Sequence, residues 1–269
     1  MRYQSIQSRL FKQNRERFVR QMKPDALAIF HSNDQMPRKG DQYFPYTQSP
    51  DFFYLTGIEQ PESVLILFPN APKPALREIL FIKKSDAKTN IWDGERLSKK
   101  EATVISDIDK VYWLEQLPNL LRDLLHHAKR IYVNSNENLS VHAEVETRDM
   151  RNARALMQKY PFHKYHRAQP VMRKLRMIKS STEVEIIQKA CEITGKAFER
   201  VLQNTRPGIM EYQVEGHVTS TFIASGSSGH AYAPIVASGP AACILHYIKN
   251  DQPCQDGDLL LLDFGAEYA

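Results

Sequence analysis

Apolar residues recur at helical spacing over residues 5–22, where Ile6, Leu10, Phe18, Val19 and Met22 fall mostly on one face. Pro24 ends that predicted helix, because proline disfavours helical backbone in the residue before it. An unbroken apolar run at 26–30 predicts a buried strand, and the polar stretch 31–41, with Pro37 and Gly40, reads as a loop. Residues 64–68 and 79–82 predict two further strands around a proline-rich turn at 69–74. Ser98 and Glu101 have capping-box spacing and predict a helix start. A short strand is predicted at 111–113. Pro118 with Leu120, Leu121, Leu124 and Leu125 predicts a helix, which His126 and His127 close as solvated or dipole-stabilised residues. Another strand follows at 130–133, then a charged helix around 141–158.

Such alternation of strands and amphipathic helices predicts an α/β domain over residues 1–170. A boundary falls near Gln169 and Pro170, and residues 171–269 form a second region. Its first stretch, 173–179, alternates basic and apolar residues and reads as a strand or linker with a solvated face. Thr182 and Glu185 have capping-box spacing. Ile187, Ala190, Thr194, Ala197, Phe198 and Val201 then continue one helical face. Pro207 and Gly208 break the chain, and Met210, Val214, Val218 and Phe222 recur every four residues, which predicts a second helix. Gly226, Ser227, Ser228 and Gly229 read as a flexible loop.

The C-terminal stretch concentrates the chemistry. Asp256, Gly257 and Asp258 predict a tight turn, and the four leucines 259–262 predict a strand buried on both faces. That strand ends in Asp263. A carboxylate beside buried leucines is costly to desolvate unless a cation, N–H donors or a metal pairs with it. The plainer alternative is that Asp263 caps the turn at Gly265.

Composition narrows the class. A chain of 269 residues with 42% hydrophobic and 25% charged residues suits a soluble globular protein of one large or two ordinary domains. No run is long and apolar enough for a membrane span, and no signal-peptide core opens the chain, so the reading is a cytoplasmic protein with no membrane partner. The formal net charge of +5 is spread among acids, and no nucleic-acid motif accompanies it, so no nucleic-acid partner is predicted. Cys191, Cys243 and Cys254 lack the spacing of a metal or redox motif. They read as reduced thiols, Cys191 and Cys243 packed among apolar neighbours.

Residues 229–247, GHAYAPIVASGPAACILHY, and 256–268, DGDLLLLDFGAEY, resemble the aminopeptidase P family of metallopeptidases. Residues 44–57, FPYTQSPDFFYLTG, are similar to the motif of that family's N-terminal domain, with Thr47 where the motif has arginine. This second match favours the Xaa-Pro peptidase branch over methionine aminopeptidase, which lacks such a domain. Six Tyr or Phe among residues 41–54 could also form an interface. The resemblance implies an α/β N-terminal domain followed by the first part of an α+β pita-bread catalytic domain. It implies Asp263 as a metal ligand, His246 as the active-site imidazole, and Tyr232 with His246 as substrate-pocket residues. It further implies two manganese ions, a peptide substrate with proline in second position, and a homo-oligomer. The family's other ligands, in a DxTRT-like segment and beyond, have no counterpart in these 269 residues. The chain as given is therefore expected to be inactive. Two alternatives stand beside this: a non-catalytic interaction or oligomerisation protein of the same lineage, and a prolidase-like dipeptidase.

Overall fold

A computed structural model describes residues 3, 5–92, 94–135, 137 and 144–269. The chain divides into two compact units, Ile6–Ile178 and Lys179–Ala269. In the first unit the elements run α1 (Ser8–Val19), β1 (Ala26–His31), a hairpin of β2 (Pro37–Lys39) and β3 (Gln42–Tyr43), α2 (Pro50–Thr56), β4 (Val64–Leu67) and β5 (Glu78–Ile82). They continue with α3 (Ala87–Trp92), α4 (Lys99–Ser106), β6 (Val111–Trp113), α5 (Leu117–Leu125), β7 (Arg130–Val133), α6 (Arg148–Lys159), β8 (Lys164–Arg167) and α7 (Gln169–Met177).

Six of these strands form one mixed sheet in the order β6-β5-β4-β1-β7-β8. Strand β1 lies parallel to β7 and antiparallel to β4. Both central strands are buried along their whole length because helices cover both faces. Alternation sorts their side chains between two cores. Ala26, Ala28, Phe30, Leu65 and Leu67 meet Phe18 of α1, Phe52 and Leu55 of α2, Ala102 of α4 and Met172 of α7. Leu27, Ile29, Val64 and Ile66 meet Leu124 and Leu125 of α5 and Leu156 of α6.

Two features of this unit differ from the periodicity. The stretch 173–179 is mostly helix, since α7 opens on Pro170 in its first turn and buries Met172 and Leu175. Arg173, Lys174 and Arg176 sit on the exposed side of that helix, so the mix of basic and apolar residues follows a helical face rather than strand alternation. Of the aromatic stretch, Phe52, Phe53 and Tyr54 lie in α2, which ends at Gly57 with φ of 68°, and Tyr43 lies in β3. A Cβ on Gly57 would lie 2.3 Å from the Phe11 ring, so glycine serves both the left-handed cap and the close approach. Of the helix predicted around 141–158, residues 141–143 lie outside the described residues, 144–147 are not helical, and α6 begins at Arg148 behind the Thr147 cap.

The second unit contains α8 (Ser181–Asn204), α9 (Glu211–Ala224), β9 (Gly229–His230), β10 (Ile235–Ser238), β11 (Leu260–Asp263) and β12 (Ala266–Glu267). Ile193, Ala197 and Val201 of α8 pack on Val214, Val218 and Phe222 of α9, with Val236 and Ala266 closing the cluster. The capping box opening α8 is Ser180 with Glu183 rather than Thr182 with Glu185. Phe198 and Ile187, placed on the buried face by periodicity, are 44% and 47% exposed. The buried line runs through Ile193, Ala197 and Val201, so the predicted face holds at Ala197 and Val201 but lacks Ile193. Cys191 and Cys243 are exposed and Cys254 is buried, the reverse of the expected order for two of them. Ser227 is fully buried, its hydroxyl donates to the Glu267 carbonyl at 2.7 Å and accepts from the Gly229 amide at 3.1 Å, so the 226–229 segment is tied down rather than loose. Among the described residues no helix is long and apolar enough to cross a membrane.

Candidate active site

Strand β11 follows the predicted turn, where Gly257 takes φ of 85° and the Asp258 amide donates to the Gln255 carbonyl at 3.2 Å. The Asp258 carboxylate accepts from the Ser238 hydroxyl at 3.1 Å, fastening the turn to the end of β10. β10 and β11 pair antiparallel, with Val236 opposite Leu262 and Ile235 opposite Asp263. Leu260 and Leu262 pack against the α8 and α9 cluster, and Leu261 packs on the other face with Ile235, Ala237 and Tyr247. Alternation places Asp263 on that second face, away from the helices. Among the described residues β11 pairs with β10 alone, so its leucines are half-buried rather than enclosed on both faces, and Leu259 is 71% exposed.

Asp263 is exposed and accepts a 2.7 Å hydrogen bond from the Tyr232 hydroxyl. This bond, with partial burial and the carboxylate charge, pushes the phenol from 10.0 up to about 12, so it stays protonated and donates. The Ala231 amide donates to the Gly265 carbonyl at 2.9 Å. A Cβ at 265 would sit 3.3 Å from the Tyr232 ring, so glycine there lets the ring lie close against the backbone. Tyr232 and Asp263, 31 residues apart, are thus brought together. His246 lies on a separate exposed turn that precedes the buried Tyr247.

The turn carrying His246 is held by residues the sequence did not single out. Glu211, at the first position of α9, is fully buried. Its carboxylate accepts from the Ser238 amide at 2.7 Å, the Gln252 amide at 2.9 Å and the Tyr247 hydroxyl at 2.7 Å. One turn on, Glu215 accepts from the Asn250 side-chain amide at 2.8 Å, while the Asn250 oxygen accepts from the Val236 amide at 3.0 Å. Burial and these contacts push the Tyr247 phenol up to about 12. The partners lie 27 to 41 residues from Glu211 along the chain, and no spacing rule connects them.

The oxygen chemistry of Asp263 suits a hard divalent ion. Among the described residues, however, no three His, Cys, Asp or Glu side chains gather as a metal-binding cluster. One carboxylate does not hold a metal pair, so these residues do not fit a two-metal site by themselves.

Comparison with known proteins bears on both units. Residues 11–132 match the model of the aminopeptidase P N-terminal domain, and residues 185–269 match that of metallopeptidase family M24. This is an aminopeptidase P N-terminal domain followed by family M24 sequence. The Xaa-Pro aminopeptidase of Escherichia coli is 32% identical over 96% of this chain, which spans 58% of that relative. Human Xaa-Pro aminopeptidase 3 is 29% identical over 90% of the chain, which spans 48% of it. Among solved structures, E. coli aminopeptidase P with the inhibitor Pro-Leu matches with a TM-score of 0.85 at 30% identity, over 98% of this chain and 60% of that one. Aminopeptidase PepP of Pseudomonas aeruginosa matches with a TM-score of 0.86 at 28% identity, over 98% and 59%. The chain thus spans about three-fifths of the bacterial relatives it matches, and its mixed-sheet domain and M24 segment have the architecture of aminopeptidase P.

Proposed function

We propose that this chain supplies the N-terminal domain and part of the catalytic domain of an Xaa-Pro aminopeptidase, which hydrolyses the bond before a proline in second position. The observation that carries this reading is the Tyr232 hydroxyl seated on Asp263 at the end of β11, in a chain similar throughout to aminopeptidase P. A relative solved with Pro-Leu as inhibitor supports a proline-containing peptide as ligand. In this reading Asp263 is one carboxylate ligand of a divalent metal pair, and the Tyr232 hydroxyl orients that carboxylate. Manganese suits such oxygen-rich ligation. Metal ions held by Asp263 together with further ligands would supply Lewis acidity for peptide hydrolysis. His246, exposed on its turn, donates a hydrogen bond to the substrate, where a preorganised donor acts best. Tyr232 is also read as a substrate-pocket residue.

The remaining metal ligands come from outside these 269 residues, so the chain alone is inactive. The domains divide near residue 178, after α7, rather than near 170, the second having the pita-bread fold, and the complete enzyme is a cytoplasmic homo-oligomer. Tyr43 and Phe44, each about half exposed, provide apolar surface for subunit contact.

The test is release of the first residue from an Xaa-Pro-Xaa peptide, with manganese, by a longer protein that includes the downstream ligands. Asp263→Ala should abolish turnover, and His246→Ala should lower kcat about 100-fold or more. Full activity in Asp263→Ala would remove the metal role from this residue.

A further inference from the structure

A buried carboxylate without a counter-ion is costly, and no ion pair to Glu211 is found among the described residues. The donors around it explain its presence. The Ser238 amide lies at the end of β10, where the chain leaves the sheet. The Tyr247 hydroxyl belongs to the residue directly after His246, and the Gln252 amide lies where the excursion returns. One carboxylate therefore holds the start, middle and end of the segment that presents His246. The helix N-terminus adds a favourable field for the same charge. The Glu211 amide donates back to the Gln252 carbonyl at 3.0 Å, so the return strand is held from both sides. Glu215 and Asn250 reinforce the hold, tying the segment to Pro234 and Val236 beside Tyr232.

The geometry points to Glu211 as a positioning residue that fixes the His246 turn relative to β10 and, through β10, to Asp263. Its role is acceptance: three donors converge on its two oxygens, and no donor at this site replaces them. The inference rests on the reading of His246 as the substrate-facing imidazole.

Glu211→Gln tests it while keeping the side-chain size. The new amide group sets a donor against donors. Amide hydrogen exchange and backbone relaxation of the 269-residue chain read the result without need of activity. The amides of Ser238 and Gln252 should exchange at least about tenfold faster, and the backbone order of His246 should fall. The amides of α8 and the order of Asp263 should stay as they are. Tyr247→Phe, which removes one donor of three, should loosen His246 by a smaller amount and guards against a Glu211→Gln chain that fails to fold. Unchanged order at His246 in Tyr247→Phe and in any folded Glu211→Gln would overturn the proposal. So would equal loosening of α8 and the 238–252 segment. Failure of the functional reading shows separately, as absence of Xaa-Pro cleavage by the longer protein.

Discussion

Arg15 illustrates what a single residue can carry. It sits on α1 with its side chain fully buried, and its guanidinium donates to the carbonyls of Leu55 at 3.0 Å, Ser106 at 2.8 Å and Asp107 at 3.1 Å, and to Glu78 at 3.1 Å. Burial pulls its pKa down, and Glu78 opposes that pull. Arg15→Met should cost about 3–5 kcal/mol, since it strands three carbonyls and a carboxylate. Urea unfolding checks this; a loss below about 1 kcal/mol would mean the acceptors find water. Tyr232 offers a second residue-scale test. Its hydroxyl is raised from 10.0 to about 12 in the folded state by Asp263. The stabilisation from that bond is complete below the unfolded value and is lost as pH climbs through the folded one, between about 10 and 12. Ultraviolet difference titration should show the Tyr232 phenol returning towards its ordinary value in Asp263→Ala. An unshifted titration would deny the bond.

At the scale of elements, local rules were mostly sufficient where one face is buried and the partner is near in sequence. Strands β1, β4, β5 and β7 are apolar runs, and Ser98 with Glu101 caps α4 as its spacing predicts. The failures have physical causes. β8, Lys-Tyr-His-Arg, went unread because it is an edge strand with no apolar run. Arg15 was illegible because its burial depends on carbonyls 40 to 92 residues away. In the candidate site, motif resemblance pointed to Asp263 and Tyr232, which the structure joins by a hydrogen bond, while Glu211 was not singled out, for the same reason of distance. The cap of α8 separates the two readings experimentally. Ser180 accepts from the Glu183 amide, and Glu183 accepts from Ser180 in return. Ser180→Ala should cost about 1 kcal/mol in thermal or urea unfolding, and Thr182→Ala only a few tenths. The opposite order would restore the spacing argument.

At the scale of the molecule, the two compact units meet between Ile178 and Lys179. Met177 and Ile178 are 64% and 72% exposed, and Lys179 is also exposed. We expect the first unit to fold by itself, since its sheet is enclosed by its own helices on both faces. Brief trypsin treatment should therefore cut near Lys179 and leave a resistant N-terminal fragment, whereas cuts scattered through 50–130 would count against an independent domain. The second unit is different, because among the described residues β11 has one edge unpaired, and Leu259 is exposed. Under the proposed function, Xaa-Pro aminopeptidase chemistry needs more metal ligands than Asp263, since no three metal-ligating side chains gather among the described residues. The most direct measurement incubates an Xaa-Pro-Xaa peptide and manganese with the 269-residue chain and, in parallel, with the longer protein. Release of the first residue by the longer protein alone is the predicted result; comparable turnover by the 269-residue chain would contradict it.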